Sequence, residues 1–439
     1  MKLLAFLTVA STLVASMPLE YAASEPAPPS PPTQFHEAPY KSGWDIDYSP
    51  YSGGENLLFV HRSLERFEGW RLEKSPIRYE KKGSAVFFRL CELLSVWLPL
   101  NDLAVVVQHE VFGHGYRIRD LGKSKAKVTG YQINAPIPYG EGGGGTSFGI
   151  TEKFTTTDDT AVSMAGVEAT AILAELARLH WLEAGAIDPR QTFLYLGALY
   201  DLPLYISTLS SMGNSDGHDM SAYVRSLNLT YTEGHLTASH LRSVAWINLA
   251  DPFTYYALYA WGRYAACGKE TRIPMIRFGT WKYLPSVRLG LTPFGPEVFL
   301  QNYLVQHRTP LSFYLKGGNH SGNTYLGVGC YAPRLVSQDR WSMGVRLDAW
   351  RQPKLLLQPA AISFAALHQG DVLESDFPLY SSAEQHSIRY GGAGSFLASY
   401  QGTSRSSFEL ELGYKAQGFL PGNALKAAPI ARAYFVFVF

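Results

Sequence analysis

PIARAYFVFVF, residues 429–439, alternates apolar or aromatic residues with small or polar ones and interleaves Tyr434, Phe435, Phe437 and Phe439. Successive side chains of a strand point to opposite faces, so the stretch reads as a β-strand. Working backwards, the same texture recurs in SFELELGYKAQGF, SIRYGGAGSFLASYQG, SMGVRLDAW, TYLGVGCYAP, LSFYLKGG, EVFLQNYLVQ and SVRLGLT, with Gly, Asn, Pro and Ser clusters between them. Residues 271–439 are therefore expected to form an antiparallel β-domain whose strands are long enough to cross an outer membrane if tilted. A soluble barrel or sandwich with one wet face would show the same alternation.

Upstream, from about residue 84 to 268, the sequence reads as helices. SAVFFRLCELLSVWLPLNDLAVVVQHEVFGHGYRIRDLG predicts one or two apolar helices, with a break and cap at Pro99 and Asn101-Asp102. DDTAVSMAGVEATAILAELARLHWLEAG predicts another, opened by acidic residues and closed by Gly185. QTFLYLGALYDLPLYISTLSSMG and LADPFTYYALYAWGRYAACG supply two aromatic-rich helices near the length of a membrane span. Asp201, Pro203, Asp251 and Arg263 interrupt them, which favours a large buried helical core over a polytopic membrane protein.

The first helix carries HEVFGHG at 109–115. In the zinc-hydrolase pattern H-E-x-x-H, two histidines one helical turn apart face one ion and the glutamate activates water. Here one more residue intervenes. At about 100° per residue, an i,i+4 pair lies about 40° apart around the helix axis and an i,i+5 pair about 140° apart. His109 and His114 can share an ion only if a π-bulge absorbs the extra residue, and Gly113 is the expected place for it. With two histidines as ligands, Glu110 is the natural base.

HEVFGH also resembles, over about six residues, the zinc helix of the dipeptidyl peptidase III family, spelled H-E-x-x-G-H. That resemblance implies zinc and a third ligand from a glutamate on a later helix. Glu168 in MAGVEATAILAE is the candidate, since a carboxylate in an apolar helix is costly unless paired or metal-bound. Glu175, seven residues on, shares nearly the same face and could ligate instead or orient a histidine. The family's second motif is not spelled in this helix, and its large cytosolic architecture does not match. In the β-domain, the strand ending on Phe439 resembles the terminal strand of bacterial outer-membrane barrels, which finish on an aromatic residue.

The other features frame these two. A formal charge of +1 over 439 residues removes the electrostatic argument for nucleic acid as a partner. MKLLAFLTVASTLVASMPLEYAAS has the composition of a secretory signal over residues 1–24, followed by a Pro-rich tether over 25–45. Three cysteines, Cys91, Cys267 and Cys330, lack C-x-x-C spacing and read as buried thiols rather than a disulfide framework. In GNSDGHDMSAY, Asp216, His218 and Asp219 could bind a second metal or the transition state, or form a polar turn capping the next helix. Asp201 could partner a ligand histidine or terminate a helix; Tyr223, with His218, is a guess for an oxyanion donor. YGEGGGGTSFG lacks the lysine of a phosphate loop and reads as a flap.

The expected fold class is α+β: a helical zincin-like catalytic domain over 46–270, followed by an antiparallel β-barrel-like domain over 271–439. The expected function is an exported zinc-dependent metallohydrolase, a peptidase acting on a peptide or protein substrate at a bacterial outer membrane or in the periplasm. His109, His114 and Glu168 would hold Zn2+, with Glu110 as base and Glu175, Asp201 and His218 in reserve. A non-enzymatic outer-membrane barrel with a structural helical domain, and an intramembrane metalloprotease, are the alternatives.

Overall fold

The computed structural model describes residues 39–72, 83–209, 218–358 and 379–438. The signal and most of the tether lie outside them, as does Asp216. The tether's last seven residues do not stay loose. Pro39–Asp45 forms strand β1, paired antiparallel with the C-terminal strand from Pro39 opposite Val438 to Asp45 opposite Arg432.

Helix α1 spans Pro50–Leu72, and α2 runs unbroken over Gly83–Leu121. The break expected at Pro99 is absent. Pro99 has no N–H, which frees the carbonyl of Ser95, and that oxygen accepts the Tyr139 hydroxyl at 2.6 Å. Asn101 and Asp102 are side-chain ties, not caps: Asn101 donates to the Arg190 carbonyl at 2.7 Å and Asp102 accepts from the Ile137 N–H at 3.0 Å. A hairpin of β2 (Ala126–Ile133) and β3 (Gly144–Ile150) follows. Helix α3 (Thr156–Ser163) starts at Thr155, whose hydroxyl and the Asp158 carboxylate cap each other's backbone N–H. After a bend at Met164, α4 (Ala165–Ala184) ends as expected on Gly185, at φ 74°. Helices α5 (Thr192–Thr208), α6 (Asp219–Thr230), α7 (Ala238–Ala245) and α8 (Pro252–Cys267) complete this part.

From residue 276 the described chain is mainly strands, with one short helix at Ser382–Gln385: β4 (Ile276–Phe278), β5 (Trp281–Thr292), β6 (Gly295–Gln306), β7 (Thr309–His320), β8 (Asn323–Gln338), β9 (Trp341–Pro353), β10 (Ile388–Thr403), β11 (Ser406–Lys415) and β12 (Ala428–Val438). With β1 they form one antiparallel sheet of 10 strands in the order β1-β12-β11-β10-β9-β8-β7-β6-β5-β4. The fold is therefore α+β, but the sheet is not closed into a barrel. Strand β4 has three residues, too few to reach across, and the free edge of β1 is taken by α1. The Asn56 amide mimics a neighbouring strand there: it accepts the Gly43 N–H at 3.0 Å and donates to the Gly43 carbonyl at 2.6 Å.

The helices and the sheet share their cores. Leu173, Trp181, Tyr195 and Phe253 pack with Tyr40, Leu284, Tyr303 and Val305 of the strands. Where α4 meets the sheet, its charged side chains bond neutral polar groups of β6, and Arg178 also pairs with Asp251 ahead of α8. Arg178 donates to Asp251 at 3.0 Å and to Gln301 at 2.7 Å, and Tyr303 donates to Glu175 at 2.6 Å. Among the strands, Arg432 pairs with Glu411 at 2.9 Å, Lys41 with Glu409 at 2.9 Å and Lys316 with Glu297 at 3.2 Å. All these groups lie on the face that holds the helices. Buried charges are tolerated because each has a partner.

Candidate metal centre

The i,i+5 problem is solved as the spacing requires. Glu110–His114 is one π-helical turn inside α2. It brings His109 Nε2 and His114 Nε2 to 3.1 Å from each other. Gly113 serves a second purpose besides the distortion: a Cβ there would lie 2.7 Å from the Ala165 carbonyl oxygen and from Gly166 Cα, so its absence lets α4 cross α2 at contact distance.

Each ring has its far nitrogen tied down. His109 Nδ1 donates to Asp201 Oδ2 at 2.8 Å, and His114 Nδ1 donates to the Val162 carbonyl at 2.7 Å. Asp201 also accepts the Thr170 hydroxyl at 2.8 Å. With Nδ1 carrying the proton in each neutral ring, both Nε2 atoms present lone pairs. The third group is Asp219, the first residue of α6, whose Oδ2 lies 3.3 Å from His109 Nε2 and 3.2 Å from His114 Nε2. Four ligands around zinc at about 2.0–2.1 Å would be separated by about 3.3 Å along each edge of the tetrahedron. The observed triangle of 3.1, 3.2 and 3.3 Å has that size. His109, His114 and Asp219 thus form a group within metal-binding distance.

Both histidines are buried, whereas the Asp219 side chain is 26 % exposed and forms the open side of the centre. Burial disfavours ionisation of Asp219, but with the rings protonated at Nε2, as they are when no ion takes that proton's place, His114 and then His109 outweigh it and hold the carboxyl well below the ordinary carboxylate range. Tyr205 stacks on His109 with ring centroids 5.2 Å apart. Burial, together with Asp219, Asp201 and Glu110, pushes its phenol far above the usual range, so it keeps a neutral hydroxyl among three carboxylates. Glu110 is buried beside the triangle, and its Oε2 accepts the Thr146 hydroxyl of β3 at 2.8 Å. Gly144, on the same strand, passes so close that a Cβ would lie 3.1 Å from Glu110 Cγ. The glycine-rich flap is therefore the part of the hairpin that lies against Glu110.

Glu168 is not a ligand. It is paired with Arg117 of α2, which donates to its two oxygens at 2.9 and 3.0 Å, and it accepts the Gly422 N–H at 2.6 Å. A carboxylate in an apolar helix did need a partner, but the partner is an arginine three residues past His114. Glu175 likewise lies elsewhere, bonded to Gln301 and Tyr303 of β6. Tyr223 is fully buried and donates to the Thr292 carbonyl, away from the centre. His218 stands next to Asp219 in the chain, with its Nε2 at 3.0 Å from the Thr208 hydroxyl.

Glu168→Ala should leave the metal stoichiometry unchanged while lowering stability by about 3–5 kcal/mol, the cost of stranding one member of a buried ion pair. The low end is expected, since Arg117 keeps Asp120 at 3.0 Å and the Asn423 carbonyl at 2.9 Å. Urea unfolding beside metal analysis would check both halves. No protein-family model, curated protein or solved structure matches the chain.

Proposed function

We propose that the protein is a zinc-dependent hydrolase, a peptidase, in which His109, His114 and Asp219 hold the ion and Glu110 is the general base. One observation carries this reading: three lone-pair donors converge on a triangle of tetrahedral size, with the Glu110 carboxylate next to one of them, His109, in sequence. Two imidazoles and a carboxylate are a donor set suited to zinc, and three protein ligands leave a position open. Bound there, the ion would supply Lewis acidity to a water and to a scissile carbonyl. Glu110 would take the proton from the attacking water and return it to the leaving amine, its carboxylate oriented by Thr146. Asp201, itself held by Thr170, would keep His109 in the tautomer that offers Nε2.

Two features favour a peptide as substrate. The motif resembles that of the dipeptidyl peptidase III family. Strand β3, which carries Thr146, pairs only with β2 among the described residues, so an extended chain could add to the hairpin beside the base.

Metal content of the purified protein, with Asp219→Ala beside it, tests the centre. About one zinc per chain is expected in the wild type, with loss of most of it in the variant. A chain that binds no metal after incubation with zinc would overturn the reading. Cleavage of a casein peptide mixture, followed by mass spectrometry, then tests turnover. The alternative, an exported membrane protein that binds metal without turnover, parts from this reading at Glu110.

A further inference from the structure

Between its aromatic limits the sheet turns its charged groups inward, toward the helices, and its outward face is apolar; Arg351, opposite Tyr390, stands at the margin. On β10 the outward residues between Tyr390 and Tyr400 are Gly392, Gly394, Phe396 and Ala398, and Phe396 is 76 % exposed. On β9 they are Met343, Val345, Leu347 and Ala349, and on β11 Leu410 and Leu412 lie between Phe408 and Tyr414. No outward position between these limits on the three strands is charged. This reverses the usual polarity of a sheet in water, where the face away from the core is polar.

Aromatic rows bound the apolar zone. Trp341 lies opposite Tyr400, Tyr400 opposite Phe408 and Phe408 opposite Phe435. Ring centroids are 4.8 Å apart for Trp341 and Tyr400, 5.6 Å for Phe408 and Phe435, and 5.9 Å for Phe435 and Trp44. Tyr390 and Tyr414 stand exposed toward the other ends of β10 and β11. The ten steps from Tyr390 to Tyr400 span about 33 Å along the strand, or about 25 Å of height at a tilt of about 40°. That is the height of the apolar band of a membrane-crossing sheet.

The zone does not stop at the seam where the sheet is open. Phe59 of α1 packs on Phe437 with centroids 5.6 Å apart, and α1 turns Val60 and Leu64 outward. Helix α2 exposes Phe87 and Leu94 and is anchored to α8 by Arg89, which donates to the Ala265 carbonyl at 3.0 Å. Helix α8 exposes Tyr259, and β4 exposes Ile276 and Phe278. Gly83–Leu121 is by length and composition apolar enough to cross a membrane, and only 39 % of its most apolar window is buried inside the protein.

We propose that this belt contacts the acyl chains of a lipid bilayer around its whole circumference, with helices α1, α2 and α8 taking the place of the strands that would close a barrel. A second copy of the chain could cover one patch, as a dimer interface does, but not a belt exposed on every side. A bilayer covers all of it.

The test places single nitroxide labels in a background with Cys91, Cys267 and Cys330 changed to serine, reconstituted in phosphatidylcholine vesicles. The sites are Phe396→Cys on the sheet, Val60→Cys and Phe87→Cys on the helices, and Ser404→Cys in the turn past the aromatic row. Relaxation by dissolved oxygen, which concentrates among acyl chains, is compared with relaxation by a water-soluble nickel chelate. Oxygen should dominate several-fold at 396, 60 and 87, and the chelate at 404. Dominance of the chelate at 396 would overturn the proposal, and dominance at 60 or 87 would overturn the continuous belt. Protection from both agents at 396, with a dimer seen by light scattering, would assign that face to a second copy instead. Leu347→Cys repeats the sheet measurement should the Phe396 variant not fold.

Discussion

Glu110→Gln is expected to bind zinc as the wild type does and to hydrolyse peptides about 10²–10⁴-fold more slowly, the range by which a positioned base accelerates a proton transfer. The amide has nearly the shape of the carboxylate, and its oxygen can still accept the Thr146 hydroxyl that now reaches Glu110 Oε2 at 2.8 Å. What it loses is basicity. Glu110 is absent from the triangle of groups that could hold the ion, so metal content should not follow activity. Steady-state hydrolysis of a peptide identified from the mixture, with metal analysis on the same preparation, separates the two effects. Equal rates in the two proteins would remove Glu110 from catalysis and leave the proton transfer to another group. Loss of zinc together with activity would instead make Glu110 part of the metal's support.

The residues of the centre differ in how far the sequence revealed them. His109 and His114 were legible, as was the π-turn, because both histidines lie within six residues and helix geometry leaves one way for them to meet. Asp201 was legible as a partner only in kind: an acid before a Pro break suits a helix end equally well, and the bond to His109 depends on how α5 crosses α2. Asp219 was misread because it meets the histidines from 105 and 110 residues away, and G-H-D before a helix is ordinary capping chemistry. Glu168 was assigned to the metal on sound energetics and a missing partner, for nothing in the sequence says that Arg117 faces it across two helices. The sheet divides in the same way. Period-two alternation marked the strands from SVRLGLT to PIARAYFVFVF, since it is a local property. PYKSGWD carries too little alternation to announce β1, which forms because β12 offers it an edge. The open sheet was not legible either, because it depends on β4 being only three residues long and on α1 meeting the free edge of β1.

Gly166→Ala is expected to cost the centre its metal while leaving the fold nearly as stable as before. An ideal Cβ at Gly166 would lie 2.1 Å from His109 Nε2, 2.3 Å from Cδ2 and 2.5 Å from Cε1, which presses it against the face of the ring far inside contact distance. The imidazole has little room to retreat, since Asp201 holds Nδ1 at 2.8 Å and Tyr205 stacks on the ring. Moving it forfeits the hydrogen bond or the stack, and it carries Nε2 out of the triangle. Zinc affinity should fall by at least about a hundredfold, the upper figure for losing a group that merely orients a ligand. Stability is governed by two opposed terms: overpacking costs about 1–3 kcal/mol, and alanine is favoured over glycine in a helix interior by about 1 kcal/mol. The metal-free protein should thus unfold within about 2 kcal/mol of the metal-free wild type. Gly262→Ala, in α8 with no atom within 4 Å of the added Cβ, supplies the propensity gain without the clash and should keep its zinc. Wild-type affinity in Gly166→Ala would mean that His109 can leave its position without harm to the site, and the triangle drawn from its Nε2 would not be the metal's.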